Sequence, residues 1–457
     1  MPIPDAAPPA RSSHAGAAAS ANAEPLGVAL FGVGTVGGGV AERILRHSQT
    51  LTAGRPLALR HAVVRNLDKN RGLELPAGVL HDDMQRAIDD PDVGVGVELI
   101  GGVPQAFELC SALLRAGKHV VTANKALICE RGPELFALAA ENGRTIRFEA
   151  AVAGGVPIVA GLTESLAANR ITGIRAILNG TSNFLLSRMA ETGEGYDAAL
   201  AEAQDRGYAE ADPSMDVDGT DAAQKLVILS RLAWGSEVTF ADVALGGIDG
   251  LDAEDLQFAE ELGCAVKLLA IAKRTDRGLE LSVQPTLVRR TDAIANVDGA
   301  MNMVAVRGDL VGEAWFAGPG AGREPTASAA LADLLAVAAG RTPFAPAPTD
   351  DPPKPVPADE LVSRFYLRFR VADRPHVFAD LADILGSAGI SLASIIQHVD
   401  AEPAGDGEAI ADDAELPTAP VVVMTHRTKA GRLKAAAERW RGMESLRGEP
   451  VVMPVAD

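Results

Sequence analysis

Leu26-Gly-Val-Ala-Leu-Phe31-Gly32-Val33-Gly34-Thr35-Val36-Gly37 decides how this chain folds. Leu26 to Phe31 is an apolar run of strand length, the turn after it has the spacing G-x-G-x-x-G, and a helical pattern continues through Leu45. Strand, glycine turn and helix in that order match the dinucleotide-binding fingerprint. Gly32 permits the tight turn, Gly34 lets a pyrophosphate approach the backbone, and Gly37 lets helix and strand pack closely. The helix N-terminus supplies amide donors for the anion, so Gly32, Val33, Gly34, Thr35, Val36 and Gly37 are the candidate cofactor residues.

A second strand over Leu57–Val64 ends at Arg65-Asn66. An acid near this strand end would bind the ribose hydroxyls of NAD, whereas an arginine meets a 2′-phosphate. Arg65 therefore favours NADP(H), with NAD(H) possible and a solvent-facing arginine as the plain alternative. Strands at Val93–Ile100 and His119–Thr122, with a helix over Gln105–Ala116 between them, continue a βαβ alternation and imply a parallel sheet. Thr122-Ala-Asn124-Lys125 then lies at the carboxyl end of a strand, where open α/β sheets bind ligands. Lys125 points at the crevice or caps a helix.

Glu149-Ala-Ala-Val152-Ala-Gly154-Gly155-Val156 is rich in glycine and poor in side-chain donors. Its carbonyls are able to ligate a hard cation, though a close-packed turn explains the glycines equally well. A strand over Ile171–Leu178 leads into Asn179-Gly180-Thr181-Ser-Asn183, a polar helix start that suits a substrate carboxylate or serves as an N-cap. Gly207 to Lys225 carries Glu210, Asp212, Asp216, Asp218 and Asp221 before a single lysine and an apolar run. A helix starting near Gly219-Thr220 puts Asp221 and Lys225 four apart on one face. A lysine so held is able to donate a proton; a solvated helix face is the plainer alternative.

Gly318-Pro-Gly320-Ala-Gly322 precedes an apolar helix over Ala329–Ala339 and either brings backbone against a ligand or only reverses the chain. Seven prolines between 341 and 357 mark a linker. Beyond it come an alternating strand Phe365–Val371, a helix Val377–Ala388, a strand within Gly389–Gln397, an acidic insert near 400–416 read as a flexible loop, a strand Val421–Thr425, a helix 429–440 and a strand Val451–Val455. The expected division is a disordered tail 1–24, a dinucleotide-binding domain 25–150, a catalytic domain 151–340 whose last helix returns to the first domain, a linker 341–360 and a terminal domain 361–457.

Composition narrows the function. Of 457 residues, 61 are acidic and 42 basic, a net charge of −19 that repels a phosphate backbone and argues against nucleic-acid binding. Three scattered cysteines support neither a disulfide framework nor a zinc site and fit a reducing cytoplasm. No apolar run reaches the ~20 residues of a membrane span. The first 24 residues lack the apolar segment of a signal peptide.

These motifs, in this order over about residues 26 to 455, strongly resemble the homoserine dehydrogenase family in the form with a C-terminal ACT domain. The resemblance implies an α/β protein with a Rossmann-type dinucleotide-binding domain, an α+β catalytic and dimerisation domain and a ferredoxin-like ACT domain. It further implies reversible NAD(P)H-dependent reduction of L-aspartate 4-semialdehyde to L-homoserine, on the route to threonine, methionine and isoleucine. By the same resemblance Lys225 is the proton donor, Asp221 its partner and Lys125 a second catalytic or cofactor-contacting lysine. Glu210 and Asp216, with Asn179, Gly180 and Thr181, bind substrate; Gly322 joins the cofactor set. The backbone at Glu149, Val152, Gly154 and Val156 matches a monovalent cation site, usually sodium. A homodimer or homotetramer and an L-threonine effector at the ACT domain follow by analogy. One departure is His376, in Asp373-Arg-Pro375-His376, where such modules usually carry a glycine that leaves room for a ligand.

Two other readings are weaker. A semialdehyde dehydrogenase needs a cysteine nucleophile beside a base, and none of Cys110, Cys129 and Cys264 sits in such a setting. A non-catalytic sensor of dinucleotide and amino acid has no need of Lys125 and Lys225.

Overall fold

A computed structural model describes residues 24–47, 55–341, 351–397 and 417–456. The tail before residue 24, the acidic insert near 400–416 and linker residues 342–350 lie outside the described residues.

Strand Leu26–Phe31 is buried at all six positions, as a central parallel strand covered on both faces must be. Around it six parallel strands take the spatial order Leu80–His81, Leu57–Val63, Leu26–Phe31, Val93–Glu98, His119–Thr122, Ile146–Arg147, which is the order of a doubly wound dinucleotide fold. Helices Thr35–His47, Pro104–Arg115 and Lys125–Glu141 alternate with these strands. Most predicted boundaries fall within a residue or two of the observed ones. The largest difference is the helix expected over Ala329–Ala339, which begins at Arg323. Glu324 and Pro325 suit its first turn, where a negative charge faces the positive dipole end and proline's missing N–H costs no hydrogen bond.

Helix Arg323–Ala338 leaves the second unit and packs on the first. Ala327, Ala330 and Leu334 share a buried cluster with Val40, Ala41 and Ile44 of helix Thr35–His47, and Arg323 donates to Glu42 at 2.7 Å. The second unit is a mainly antiparallel sheet, in the order Gly312–Pro319, Met301–Gly308, Ile171–Ile177, Cys264–Thr275, Gly278–Arg289. Helices Gly180–Thr192 and Thr220–Trp234 pack against it. Helix Thr220–Trp234 is buried along nearly its whole length, with only Thr220 and Arg231 partly exposed. Its hydrophobic burial is therefore what fixes the side chains at its N-terminal end.

The sheet continues into the C-terminal unit through Val455, which pairs in parallel with Leu287. There the order Val451–Val455, Val362–Ala372, Thr418–Thr425, Leu392–Ile396, with helices Val377–Ser387 and Ala430–Trp440, gives the ferredoxin-like arrangement. Strand Val362–Ala372 sends Phe365, Leu367 and Phe369 into the core with these helices. Its alternate residues face the second unit. Arg368, buried, grips Asp255 of helix Ala253–Glu261 at 2.6 and 2.9 Å, and Tyr366 donates to the same carboxylate at 2.9 Å.

Candidate active site

Asn179 lies two residues past strand Ile171–Ile177 and caps helix Gly180–Thr192, its Oδ1 accepting the Ser182 amide at 2.8 Å. Its Nδ2 is thereby turned outward and donates to Asp216 at 2.7 Å and Asp221 at 2.9 Å. Asp221 lies in the first turn of helix Thr220–Trp234, where a carboxylate also complements the helix dipole. Its Oδ2 accepts Lys225 Nζ at 2.6 Å, and its Oδ1 lies 3.0 Å from Lys125 Nζ. The i,i+4 pairing is thus a buried bridge and not a solvated helix face. Lys225 also donates to the Leu178 carbonyl at 2.7 Å. Two of its three N–H donors are committed, leaving one to give.

The charges are balanced by neighbours. Burial pushes the Asp221 carboxyl up, but the Lys225 and Lys125 ammonium groups override it and bring it down to about 2. Asp221 is an anion at any working pH and holds two cations around one carboxylate. Asp216 moves the other way: burial raises it, the Asn179 hydrogen bond opposes this, and the nearby Asp221 charge adds to the rise. A half-buried carboxylate in that state is stabilised by an incoming cation.

The remaining predicted residues divide. Thr181 donates to the Tyr208 carbonyl at 2.6 Å and so pins the acidic loop to the site. Gly180 lies where a Cβ would come within 2.8 Å of the Ala300 carbonyl. Glu210, two residues after Tyr208, is exposed, and its carbonyl accepts from Gln204. Asp212 and Asp218 serve the loop itself, Asp212 holding Ser214 and Asp218 the Thr220 amide at 2.7 Å.

On the dinucleotide side, Gly32 has φ +97°, a conformation that favours glycine, and Gly37 packs so tightly that a Cβ would lie 2.1 Å from the Gly32 carbonyl. A Cβ on Gly34 would meet nothing within 4 Å, and Gly34 and Thr35 are exposed at the helix start. This is an open cradle facing unpaired helix amides, which fits a pyrophosphate. Val33 is buried beside Ala62 and Val64, and Val36 is half-buried. Arg65 is exposed past the end of strand Leu57–Val63. Gly322, at φ +112°, caps helix Arg323–Ala338.

The loop at Glu149, Val152, Gly154 and Val156 packs against the Gly318–Gly322 turn, Gly155 donating to Pro319 at 3.0 Å. The Glu149 carboxylate is committed to the amides of Val159 and Ala160, both at 2.8 Å. The Glu149 and Val156 carbonyls accept from Val152 and Ile158, each keeping a second lone pair. A ligand set here consists of backbone oxygens. Among the described residues no cluster of three or more His, Cys, Asp or Glu is arranged to hold a metal ion.

One site residue escaped the sequence reading. Glu98, fully buried at the end of strand Val93–Glu98, accepts the amides of Ile100 and Gly101 and the Thr122 hydroxyl at 2.5 Å. Thr122 in turn accepts the Asn124 amide, and Asn124 caps the helix that begins with Lys125. Glu98 therefore sets the turn that aims Lys125.

Three family profiles match in order: "Homoserine dehydrogenase, NAD binding domain" over residues 32–149, "Homoserine dehydrogenase" over 157–335 and "ACT domain" over 365–442. The homoserine dehydrogenase of Pseudomonas aeruginosa is 41% identical over 442 residues, covering 94% of this chain and 98% of that protein. The chain belongs to the homoserine dehydrogenase family. The structure of a homoserine dehydrogenase from Thiobacillus denitrificans superposes with a TM-score of 0.85 at 41% identity, covering 95% of this chain and 99% of that one. A hyperthermophilic archaeal homoserine dehydrogenase in complex with NADPH gives 0.60 at 28% identity, covering 70% and 100%. As a homoserine dehydrogenase, the chain is an NAD(P)-dependent oxidoreductase acting on a CH–OH group. Among the described residues no helix is long and apolar enough to cross a membrane.

Proposed function

We propose that this homoserine dehydrogenase reduces L-aspartate 4-semialdehyde with Lys225 as proton donor and NADP(H) as the preferred cofactor, supplying threonine, methionine and isoleucine synthesis in the cytoplasm. The observation that carries this is the single uncommitted donor of Lys225, whose other two are taken by Asp221 and Leu178. The nicotinamide supplies or accepts the hydride. Lys225 gives its proton to the carbonyl oxygen as negative charge develops there, an effect typically worth ~10²–10⁴ in rate. Asp221 orients Lys225 and Lys125, and Asp216 with Glu210 receives the substrate ammonium. Asn179, Gly180 and Thr181 complete the substrate pocket. In the reverse direction Lys225 takes the hydroxyl proton.

Gly32 to Gly37 would hold the pyrophosphate, Gly322 and Lys125 would contact the cofactor, and Arg65 would pair with a 2′-phosphate. The NADPH complex of the archaeal relative supports this choice. The carbonyls of Glu149, Val152, Gly154 and Val156 would hold a sodium ion or another monovalent cation. The chain works as a homodimer or homotetramer divided as tail 1–24, cofactor domain 25–150, catalytic domain 151–340, linker 341–360 and regulatory domain 361–457, with L-threonine as the effector. The test is oxidation of L-homoserine by the purified protein with NADP⁺ and with NAD⁺. A higher kcat/KM with NADP⁺, reversed in Arg65→Asp, is expected; an equal preference that Arg65→Asp leaves unmoved would remove Arg65 from the cofactor site.

A further inference from the structure

Helices Lys125–Glu141 and Thr220–Trp234 pack against each other, and two polar side-chain links tie them at separated points. At the first, Lys125 reaches Asp221 at 3.0 Å. At the second, Arg231 Nη1 donates to the carbonyls of Cys129 at 2.7 Å and Ile128 at 3.2 Å, while its Nε holds the Val238 carbonyl at 3.0 Å. The Cys129 carbonyl needs this donor because the residue four further on is Pro133, inside the helix and without an N–H. Along the first helix the two contacts lie ~6 Å apart and along the second ~15 Å, at 1.5 Å per residue. Contacts at unequal spacing on two rigid rods fix both the crossing angle and the sliding position. Beyond the apolar packing of these helices, Arg231 is a polar tie that holds their register at the end away from Lys125.

We propose that Arg231 is a positioning residue for the reaction, locking the helix of Lys125 to the helix of Lys225 so that both lysines stay on the one Asp221 carboxylate. This rests on the assignment of that cluster as the reacting site. Arg231 lies ~15 Å along its helix from Asp221, outside the lysine–aspartate cluster, and acts through the register of two helices from different domains.

The test separates this role from the plainer one of satisfying an orphan carbonyl. In Arg231→Met the bridge and the Cys129 donor are both lost; adding Pro133→Ala restores an intrahelical N–H to Cys129 and not the bridge. Arg231→Met should lower kcat for homoserine oxidation roughly tenfold to a hundredfold, the scale of an ångström-level misplacement, with KM for NADP⁺ little changed. The double variant should regain melting temperature and keep the low kcat. Arg231→Lys, which reaches one carbonyl, should recover part of the rate and is read in the same way if Arg231→Met does not fold. A double variant whose kcat returns together with its stability, or an Arg231→Met kcat equal to wild type, overturns the proposal. Lys225→Met is the control: if that variant keeps full kcat, the cluster assignment itself has failed; if it is inactive while Arg231→Met is not, only the positioning role has.

Discussion

Lys125 and Lys225 come from different domains and share one carboxylate, Asp221, at 3.0 and 2.6 Å. Removing that charge leaves two ammonium groups facing each other in a largely buried site. Asp221→Asn should cost about 3–5 kcal/mol of stability, the usual penalty for breaking a buried pair, together with most of kcat. Thermal melts and steady-state rates on the same sample check this. The pH dependence follows in sign. The Asp221 carboxyl is lower in the folded protein than its ordinary value of 3.8, at about 2. Its contribution is therefore complete above pH ~4 and lost as pH falls toward 2. Acid melts of wild type should show a loss in that window that Asp221→Asn lacks.

Gly34 offers a way to separate cofactor binding from folding. A Cβ at that position meets nothing in the protein, whereas Gly37 has no room for one. Gly34→Ala should leave the melting temperature within about 1 °C of wild type, a change below ~0.5 kcal/mol, while raising KM for the cofactor severalfold. Gly37→Ala should damage both. An unchanged cofactor KM in Gly34→Ala would remove Gly34 from the pyrophosphate site.

Asp333 joins the returning helix to the cofactor domain. Its Oδ2 accepts the Glu149 amide at 2.8 Å and its Oδ1 lies 3.6 Å from the buried Arg147. Burial, reinforced by the Glu149 charge, raises its carboxyl to about 8. A carboxyl raised in the folded state stabilises below its unfolded value and loses that contribution as pH rises through the folded one. Stability should fall between pH ~4 and ~8, with the loss complete somewhat above 8, and Asp333→Asn should flatten the curve. Melting curves from pH 5 to 9 decide it.

How much of this was legible in the sequence follows from where each residue finds its partners. The glycine turn and the Asp221–Lys225 pair act within a few residues, so their spacing announces them, and the apolar strands around them order the sheet. Glu98 reads only as the polar end of an apolar strand, because its partner Thr122 is 24 residues away. Arg231 meets Cys129 across 102 residues and Asp333 meets Glu149 across 184. Such contacts are set by how domains pack, and no local pattern records them. Glu210 shows the converse: its place in the Gly207–Lys225 motif suggests a substrate contact, while its side chain is exposed.

The ACT module carries a similar record. His376, expected to crowd a ligand position, adopts φ +77° at the start of helix Val377–Ser387. A left-handed conformation costs a residue with a side chain roughly 1–2 kcal/mol. His376→Gly should therefore raise the melting temperature and, if the side chain blocks the effector, strengthen inhibition by L-threonine in the homoserine assay. Inhibition unchanged by the substitution would mean that His376 does not control access.

The proposed proton transfer by Lys225 is decided by kcat for NADP⁺-dependent oxidation of L-homoserine by wild type and Lys225→Met, with cofactor binding measured on both. A kcat lower by a factor of about 10² to 10⁴ with cofactor affinity retained is the predicted result. A Lys225→Met enzyme turning over within a few-fold of wild type would contradict it.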